Sequence, residues 1–450
     1  MPVDLNKKKA KAVLAGLHLP HESEFEHRSS MDELERLVTT LGFETLGRVT
    51  QKRQRPSVAG VFGKGKLAEL ASWTGGTGVI HGFGKGSDDE DYEDDFIESD
   101  VDDDDLERDQ ATIVIFDSEL SPTQLSNLEE ALGVEVLDRT GVILEIFSRH
   151  AQSREARLQV EIAKLAYMAP RLRLSHVGGD RQGGGIGAKG AGESAHELDR
   201  RRIRDRIAEL KNQLKAIQVE QDNRRSHRKD VPLVALIGYT NAGKSSLMRK
   251  LTKTEVEGEN KLFATLDTTI RTMQPETTPR ILISDTVGFI KKLPHDLVAS
   301  FRSTLDEALN ASLLLYVVDG SDPNFKSQYE VTRKVMAEIG AEDHPSRLIV
   351  NKSDLLSEID RARIQRDLPD SHLVSSRSKD DLNRLRDIIL QVFEDEMNDF
   401  EVLVPYEKGG VIGKIRARAR VLQESYDEVG TTLMLRAKPE TQAWIEKQLS

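Results

Sequence analysis

The 450-residue chain contains no cysteine. Disulfides, thiolate metal sites and a cysteine nucleophile are therefore excluded. No apolar run approaches the ~20 residues that a helix needs to cross a bilayer. The charged start Met1-Pro2-Val3-Asp4-Leu5-Asn6-Lys7-Lys8-Lys9 is followed by no apolar segment, so no secretory signal is visible. These absences favour the cytosol. The length accommodates roughly two to four domains with cores of their own.

The charge is uneven. The net value is −12, yet fifteen acidic residues against one arginine lie between Asp88 and Asp109, a local balance of −14 that leaves the rest of the chain at +2. Residues 72–109 run glycine-rich and then acidic, with too few apolar side chains to offset chain entropy, so disorder is expected there, with 87–109 as an acidic insert. Its carboxylates lack the glycine and terminal-glutamate spacing of a Ca2+ loop. What remains is a slightly basic body suited to meeting a polyanion.

Gly238-Tyr239-Thr240-Asn241-Ala242-Gly243-Lys244-Ser245 reads GxxxxGKS. An apolar run from Val231 to Ile237 precedes it and the helix formers Leu247-Met248-Arg249-Lys250 follow, the strand–loop–helix setting of a phosphate-binding loop. Its glycines let the backbone wrap a phosphate, and the following helix N-terminus adds positive dipole. Lys244 is expected on the β- and γ-phosphates and the Ser245 hydroxyl on Mg2+.

Residues 230–395 alternate short apolar runs with helical patterns, as the strands of a mostly parallel, doubly wound P-loop sheet do. Strands are predicted at 231–237, 281–284, 313–319, 348–350 and 372–374, and an amphipathic helix at 297–309. Three further motifs fall at strand ends. Asp285-Thr286-Val287-Gly288 is DxxG: Asp285 suits the Mg2+ shell, through water, and Gly288 the backbone approach to the γ-phosphate. Asn351-Lys352-Ser353-Asp354 is NKxD. The Asp354 carboxylate can accept from N1–H and the exocyclic amine of guanine, an edge adenine does not offer; Lys352 packs along the base and Asn351 ties the loop. Ser375-Ser376-Arg377 can offer a backbone N–H to the guanine carbonyl. In this order and on alternating strands, the set specifies GTP rather than ATP. Between loop and DxxG, Phe263-Ala264-Thr265-Leu266-Asp267-Thr268-Thr269 carries threonines able to close on Mg2+ and the γ-phosphate; spacing leaves Thr265, Thr268 and Thr269 open.

Phe289 follows DxxG, where Ras-like proteins place a water-orienting glutamine. Phenylalanine cannot orient water by hydrogen bonding, so slow intrinsic turnover, raised by a partner, is expected. Asn241 occupies a position where asparagine occurs in K+-activated GTPases; a loop-stabilising hydrogen bond is the plainer expectation.

Upstream, residues 1–150 read as a small α/β domain. A helix is predicted over Met31–Leu41, a strand over Thr45–Gln51, a loop-to-helix turn at Gly63-Lys64-Gly65-Lys66, a strand at 111–116, a helix from Ser121-Pro122 to Leu132, and a strand at 134–137. Residues 151–229 read as an antiparallel helical hairpin. Leu158, Ile162, Leu165, Ala169 and Leu172 step by four and three, as do Ile203, Ile207, Leu210, Leu214 and Ile217. The glycine-rich loop 178–193 lies between them, beside Arg171, Arg173, Arg181 and Lys189. With the arginines at 200–206 it reads as a reader of an RNA backbone. The segment 400–450 reads as a small α+β appendage with strands at Val402–Val404, Val411–Ala419 and Leu433–Ala437; Arg416, Arg418 and Arg420 stand there either for RNA or for an ordinary edge strand.

GYTNAGKS, FATLD, DTVGFI with KLPHDLVASFRSTLDEA, and NKSD together resemble the HflX family of GTPases. Upstream, Asp138-Arg139-Thr140, Gln159-Val160-Glu161, Pro170-Arg171-Leu172, the glycine loop and Leu198-Asp199-Arg200-Arg201 extend the resemblance to roughly residues 30–400. The chain departs from the family pattern in the acidic insert, in Ala191 where a proline is usual, and in Asp267-Thr268-Thr269, which lacks the usual proline. The resemblance assigns the switch threonine and second Mg2+ ligand to Thr265. It implies a partner in the large ribosomal subunit and its RNA, and ribosome splitting or rescue under stress; beside it, GTP and GDP as ligands, a cytoplasmic location and a monomer are expected. Two other classes fit the residues less well: a GTP-gated protein with a non-ribosomal partner, and an ATP-driven RNA remodeller, for which no second complete phosphate loop exists.

Overall fold

In the computed structural model, the residues described are 10–80, 110–171, 195–226, 231–254, 263, 269–277, 280–291, 307–395 and 397–449. The acidic insert, the glycine-rich loop, Ala264 to Asp267 and most of the helix predicted over 297–309 lie outside them. The chain divides into two compact units, Met1–Arg149 with Leu158–Asn212, and His150–Arg157 with Gln213–Ser450.

The first unit holds a four-stranded parallel sheet in the order β2-β1-β3-β4. Its strands are β1 (Lys11–His18), β2 (Glu44–Lys52), β3 (Ile113–Phe116) and β4 (Glu135–Asp138). The helices are α1 (Glu24–Thr40), α2 (Lys64–Thr74), α3 (Pro122–Leu132) and α4 (Arg139–His150), together with the parts of α5 (Arg154–Met168) and α6 (Ala195–Ser226) that fall within 158–212. Ser23 and Glu26 form a capping box at the start of α1, and Ser121 and Gln124 form one at α3, where Pro122 takes the first turn. Each satisfies two N–H groups that a helix start leaves open. Gly63 precedes α2, so the glycine–lysine run is a turn into a helix. β1 lies inside the sheet, paired on both sides, although no strand was expected there. Its Ala-Val-Leu-Ala-Gly-Leu run is short and poor in β-branched residues, a pattern that periodicity alone cannot divide between strand and helix. α4 was likewise not predicted; it buries Val142, Ile143, Leu144, Ile146 and Phe147, too continuous a run to show a period.

The second unit contains β5 (Leu233–Gly238), α7 (Lys244–Thr252), β6 (Thr269–Thr272), β7 (Leu282–Asp285), β8 (Leu313–Asp319), α8 (Phe325–Glu338), β9 (Ser346–Asn351), α9 (Glu358–Asp367), β10 (Ser371–Leu373) and α10 (Lys379–Glu394). The sheet order is β10-β9-β8-β5-β7-β6, parallel throughout except for the antiparallel edge strand β6. Val234, Leu236, Leu315, Val317 and Ile349 form its core with Leu247 and Met248 of α7 and Leu385 and Ile389 of α10. The five predicted strands are all present, and β6 is the addition.

The C-terminal segment forms β11 (Asn398–Pro405), α11 (Gly410–Arg418), β12 (Arg420–Tyr426), β13 (Gly430–Ala437) and α12 (Pro439–Leu449), with sheet order β11-β13-β12. The strand predicted at Val411–Ala419 is instead the helix α11. Val411, Ile412, Ile415 and Ala419 recur at helical spacing and pack on the sheet's core, a period that outweighs their β-branching. The arginines there are engaged within the segment and its neighbour: Arg416 with Glu424 at 2.6 Å, Arg418 over the Trp444 ring at 4.3 Å, and Arg420 with Glu394. The edge-strand reading fails for Arg416 and Arg418, which lie on α11, and holds only for Arg420 at the start of the edge strand β12.

Candidate functional site

The phosphate loop, DxxG, NKxD and the Ser375 turn lie at the carboxyl ends of β5, β7, β9 and β10, where an open α/β sheet takes its ligand. β5 ends at Gly238, the loop turns through Thr240 and Asn241, and α7 starts at Lys244. Gly243 holds φ = 94°, and a Cβ there would stand 2.2 Å from Asn351 Nδ2, so no other residue fits. Gly243 supplies no side-chain cap to α7, and the helix N-terminus there presents its positive dipole towards an anion. Asn241 takes φ = 61°, a left-handed conformation that asparagine tolerates. Its side chain is exposed, and the loop-stabilising hydrogen bond expected of it is not found among the described residues.

Lys244 is buried, and its Nζ donates to the carbonyls of Gly238 at 3.0 Å and Tyr239 at 2.9 Å. Burial lowers its pKa from 10.5 to about 8, against the opposing pull of Asp285. Asp285, also buried, closes β7. Thr286 donates its hydroxyl to Leu236 O at 2.8 Å, binding DxxG to β5. The backbone then zips onto the phosphate loop: Phe289 N donates to Gly238 O at 3.1 Å and Thr240 N to Phe289 O at 2.8 Å. Gly288 lies so close that a Cβ would stand 2.9 Å from Thr240 Cα and 3.1 Å from Lys244 Nζ. Val287 and the Phe289 side chain are buried, and the Tyr239 hydroxyl accepts from Lys291 N. Sequence motifs gave no sign of this zipper, because its partners are backbone groups.

The NKxD loop is tied to the phosphate loop through Asn351, fully buried, whose Nδ2 donates to Ala242 O at 2.8 Å and whose Oδ1 accepts from Ser376 N at 3.3 Å. Lys352 takes φ = 60° and meets Asp319 at 2.6 Å, a partner the sequence reading missed. Asp354 Oδ1 accepts from the Ser375 hydroxyl at 2.6 Å, and Oδ2 pairs with Arg377 at 3.3 Å. The Ser375 hydrogen bond, helped by the Arg377 charge, holds the Asp354 carboxyl below its usual range, so it stays an acceptor at neutral pH. Ser353 N donates to Val374 O, joining the two loops. A cavity of about 540 Å3 opens beside them, lined by Asp354, Ser375, Arg361, His372 and Arg384. The structure thus brings the phosphate loop, DxxG, NKxD and the Ser375 turn together. Phe263 is buried with φ = 57°, whereas Ala264, Thr265, Leu266 and Asp267 lie outside the described residues.

For Mg2+, the donors on offer are the Ser245 hydroxyl in the first turn of α7 and the Asp285 carboxylate at the end of β7. Both are hard oxygens, which suits Mg2+ held by few protein ligands together with substrate phosphates. Among the described residues no group of three or more His, Asp or Glu is placed to hold a metal by itself, and no helix is long and apolar enough to cross a membrane.

Models of three family regions match the chain: "GTP-binding GTPase N-terminal" over 28–80 and 100–148, "GTP-binding GTPase Middle Region" over 150–228, and "50S ribosome-binding GTPase" over 233–352. The chain is 54% identical to the GTPase HflX of Gluconacetobacter diazotrophicus over 98% of both chains. It is 34% identical to the GTPase HflX of Escherichia coli over 93% of this chain and 91% of that one. Among solved structures, a GTP-binding protein from Sulfolobus solfataricus in complex with GDP matches with a TM-score of 0.43 and 22% identity, over 85% of this chain and 98% of that one. With a GTPase site of this build and near-full-length relatives at such identity, the chain belongs to the HflX family of GTPases.

Proposed function

We propose that this GTPase uses its nucleotide as a switch for binding the large ribosomal subunit and its RNA, splitting or rescuing ribosomes under stress, in the cytoplasm and as a monomer. The observation that carries this reading is a cationic stripe on α6. Arg200, Arg204 and Lys211 are exposed and fall on one face of the helix. Such a stripe suits a phosphate backbone. The description of the matching family model, "50S ribosome-binding GTPase", points to the same partner. The glycine loop 178–193 is proposed to extend that contact.

In the nucleotide site, Lys244 turns from the loop carbonyls to the β- and γ-phosphates, and the N–H groups of Gly243 to Ser245 cradle the β-phosphate. Ser245 and Asp285, with Thr265 as the family resemblance implies, would hold Mg2+, which when bound would neutralise charge on the phosphate oxygens. Gly288 N–H meets the γ-phosphate once the Phe289 zipper opens. Asp354 accepts from guanine, Lys352 lies along its face, and the Ser375 to Arg377 turn offers N–H to its carbonyl. No side chain after DxxG orients water, because the Phe289 ring is buried and carries no hydrogen-bonding group. Hydrolysis therefore waits on the partner.

Sedimentation of the full chain with purified large subunits tests the reading. Binding is expected with a non-hydrolysable GTP analogue and lost with GDP, and removal of 178–193 should weaken binding without changing basal turnover. Nucleotide-independent binding, or none, refutes it. K+ as a further cofactor at Asn241 predicts faster turnover in K+ than in Na+; equal rates refute it.

A further inference from the structure

The parallel sheet of the first unit ends on two buried charge clusters that the nucleotide chemistry does not use. In one, Arg139 meets Glu33 and, at 2.6 Å, Asp117. The other centres on Asp138, the last residue of β4, which is wholly buried. Its Oδ1 accepts from Gly141 N at 2.8 Å and the Tyr167 hydroxyl at 2.7 Å. Its Oδ2 accepts from Leu120 N at 3.1 Å and Arg171 Nη2 at 2.9 Å. Arg171 also donates to Tyr167 O at 2.7 Å and Leu120 O at 3.1 Å, and its guanidinium lies 3.4 Å from the centre of the Tyr167 ring. Burial, together with the Asp138 charge, pushes the Tyr167 phenol pKa up, so the hydroxyl stays a donor at neutral pH.

These contacts fasten the C-terminal end of α5 to β4. Further along α5, Glu161 Oε1 accepts from Arg206 Nε at 3.0 Å and Nη2 at 2.9 Å. Arg206 belongs to the same stretch of α6 as Arg200, Arg204 and Lys211. The Glu161–Arg206 link is exposed and easily exchanged with water, whereas the Asp138–Arg171 pair is not, so the rigid end of this series is at Asp138.

We propose that Asp138 is a positioning residue for polyanion binding: by fixing Tyr167 and Arg171 it sets the direction of α5 and, through Glu161, that of the cationic stripe on α6. The inference rests on the reading of α6 as an RNA-facing surface.

The test measures the dissociation constant of the full chain for purified large ribosomal subunits, with a non-hydrolysable GTP analogue, over a range of salt. Each lost phosphate contact lowers the log–log salt slope by about 0.9 on duplex and about 0.7 on single strands. Asp138→Asn is expected to weaken binding by about threefold, within what an exposed ion pair can transmit, and to lower the slope by a fraction of one contact's worth, with basal GTP hydrolysis unchanged. Tyr167→Phe removes one bond and should move both values the same way by less, which keeps the inference testable if Asp138→Asn folds poorly. The triple variant Arg200→Gln, Arg204→Gln, Lys211→Gln should lower the slope further, and adding Asp138→Asn to it should change nothing more. An unchanged slope in both single variants, or fewer binding-competent molecules at an unchanged slope, overturns the inference while leaving the RNA-facing reading intact. If the triple variant binds normally, that reading fails and the inference with it.

Discussion

Lys244 makes the nucleotide site a proton acceptor above neutral pH. Its pKa is depressed from 10.5 to about 8 in the folded chain, because burial disfavours the charge. Below pH 8 the folded protein therefore carries a destabilising buried cation, worth about 3 kcal/mol from the size of the shift. Between pH 8 and 10.5 the unfolded chain holds the extra proton, so this cost is relieved and the contribution to stability rises with pH. Nucleotide phosphates reverse the effect by stabilising the ammonium. At pH 8.5 the free lysine with a pKa of about 8 is about one-quarter protonated, so binding GDP should take up about three-quarters of a proton; at pH 7 the lysine takes up only about one-tenth, and the partly protonated terminal phosphate of GDP offsets it. Calorimetric titration in two buffers of different ionisation enthalpy reads this uptake directly, since the phosphates of GDP are already fully ionised at pH 8.5. Uptake that does not increase from pH 7 to 8.5 would refute the reasoning.

Asp354→Asn should lower GTP affinity by about 3 kcal/mol, the loss of charge-assisted hydrogen bonds, and turn the preference towards xanthosine nucleotides, whose base presents an oxygen where guanine has its amine; unchanged GTP affinity in a competition titration would contradict the base-reading role. Gly243→Ala places a methyl 2.2 Å from Asn351 Nδ2 at φ = 94°, so fluorescent GDP should bind at least ~30-fold more weakly, about 2 kcal/mol of strain and lost hydrogen bonding, with the far-UV spectrum retained. Arg139→Met removes the buried cation held by Glu33 and Asp117; denaturant unfolding should show a loss of about 3–5 kcal/mol, and a loss below about 1 kcal/mol would show that the cluster is not held by charge.

The nucleotide site was legible in the sequence because its chemistry is local. GxxxxGKS, DxxG and NKxD each bring their own turn and follow a short apolar strand, so order along the chain already assigns them to the carboxyl edge of one sheet. The proposed reading of guanine by Asp354 needs only the carboxylate that the residue type supplies. The strands flanking those motifs were legible for the same reason. β1 and α4 were not: their apolar runs are continuous, and what makes one a strand and the other a helix is the sheet and helices they pack between. Val411 to Ala419 failed in the opposite sense, since β-branching suggested a strand where burial on one face of a helix prevails.

The sequence alone determined which ligand the chain is built to read, through residue types whose hydrogen-bonding groups are fixed by their identity. Only the tertiary structure decided what those residues meet. Lys244 is desolvated by the loop that wraps it, Asn351 joins two loops 109 residues apart, and Phe289 closes on the phosphate loop through backbone atoms. The pairing of Asp138 with Arg171 likewise joins residues 33 apart. Burial and pairing across such separations depend on how the chain returns on itself, and no local period or motif encodes that return.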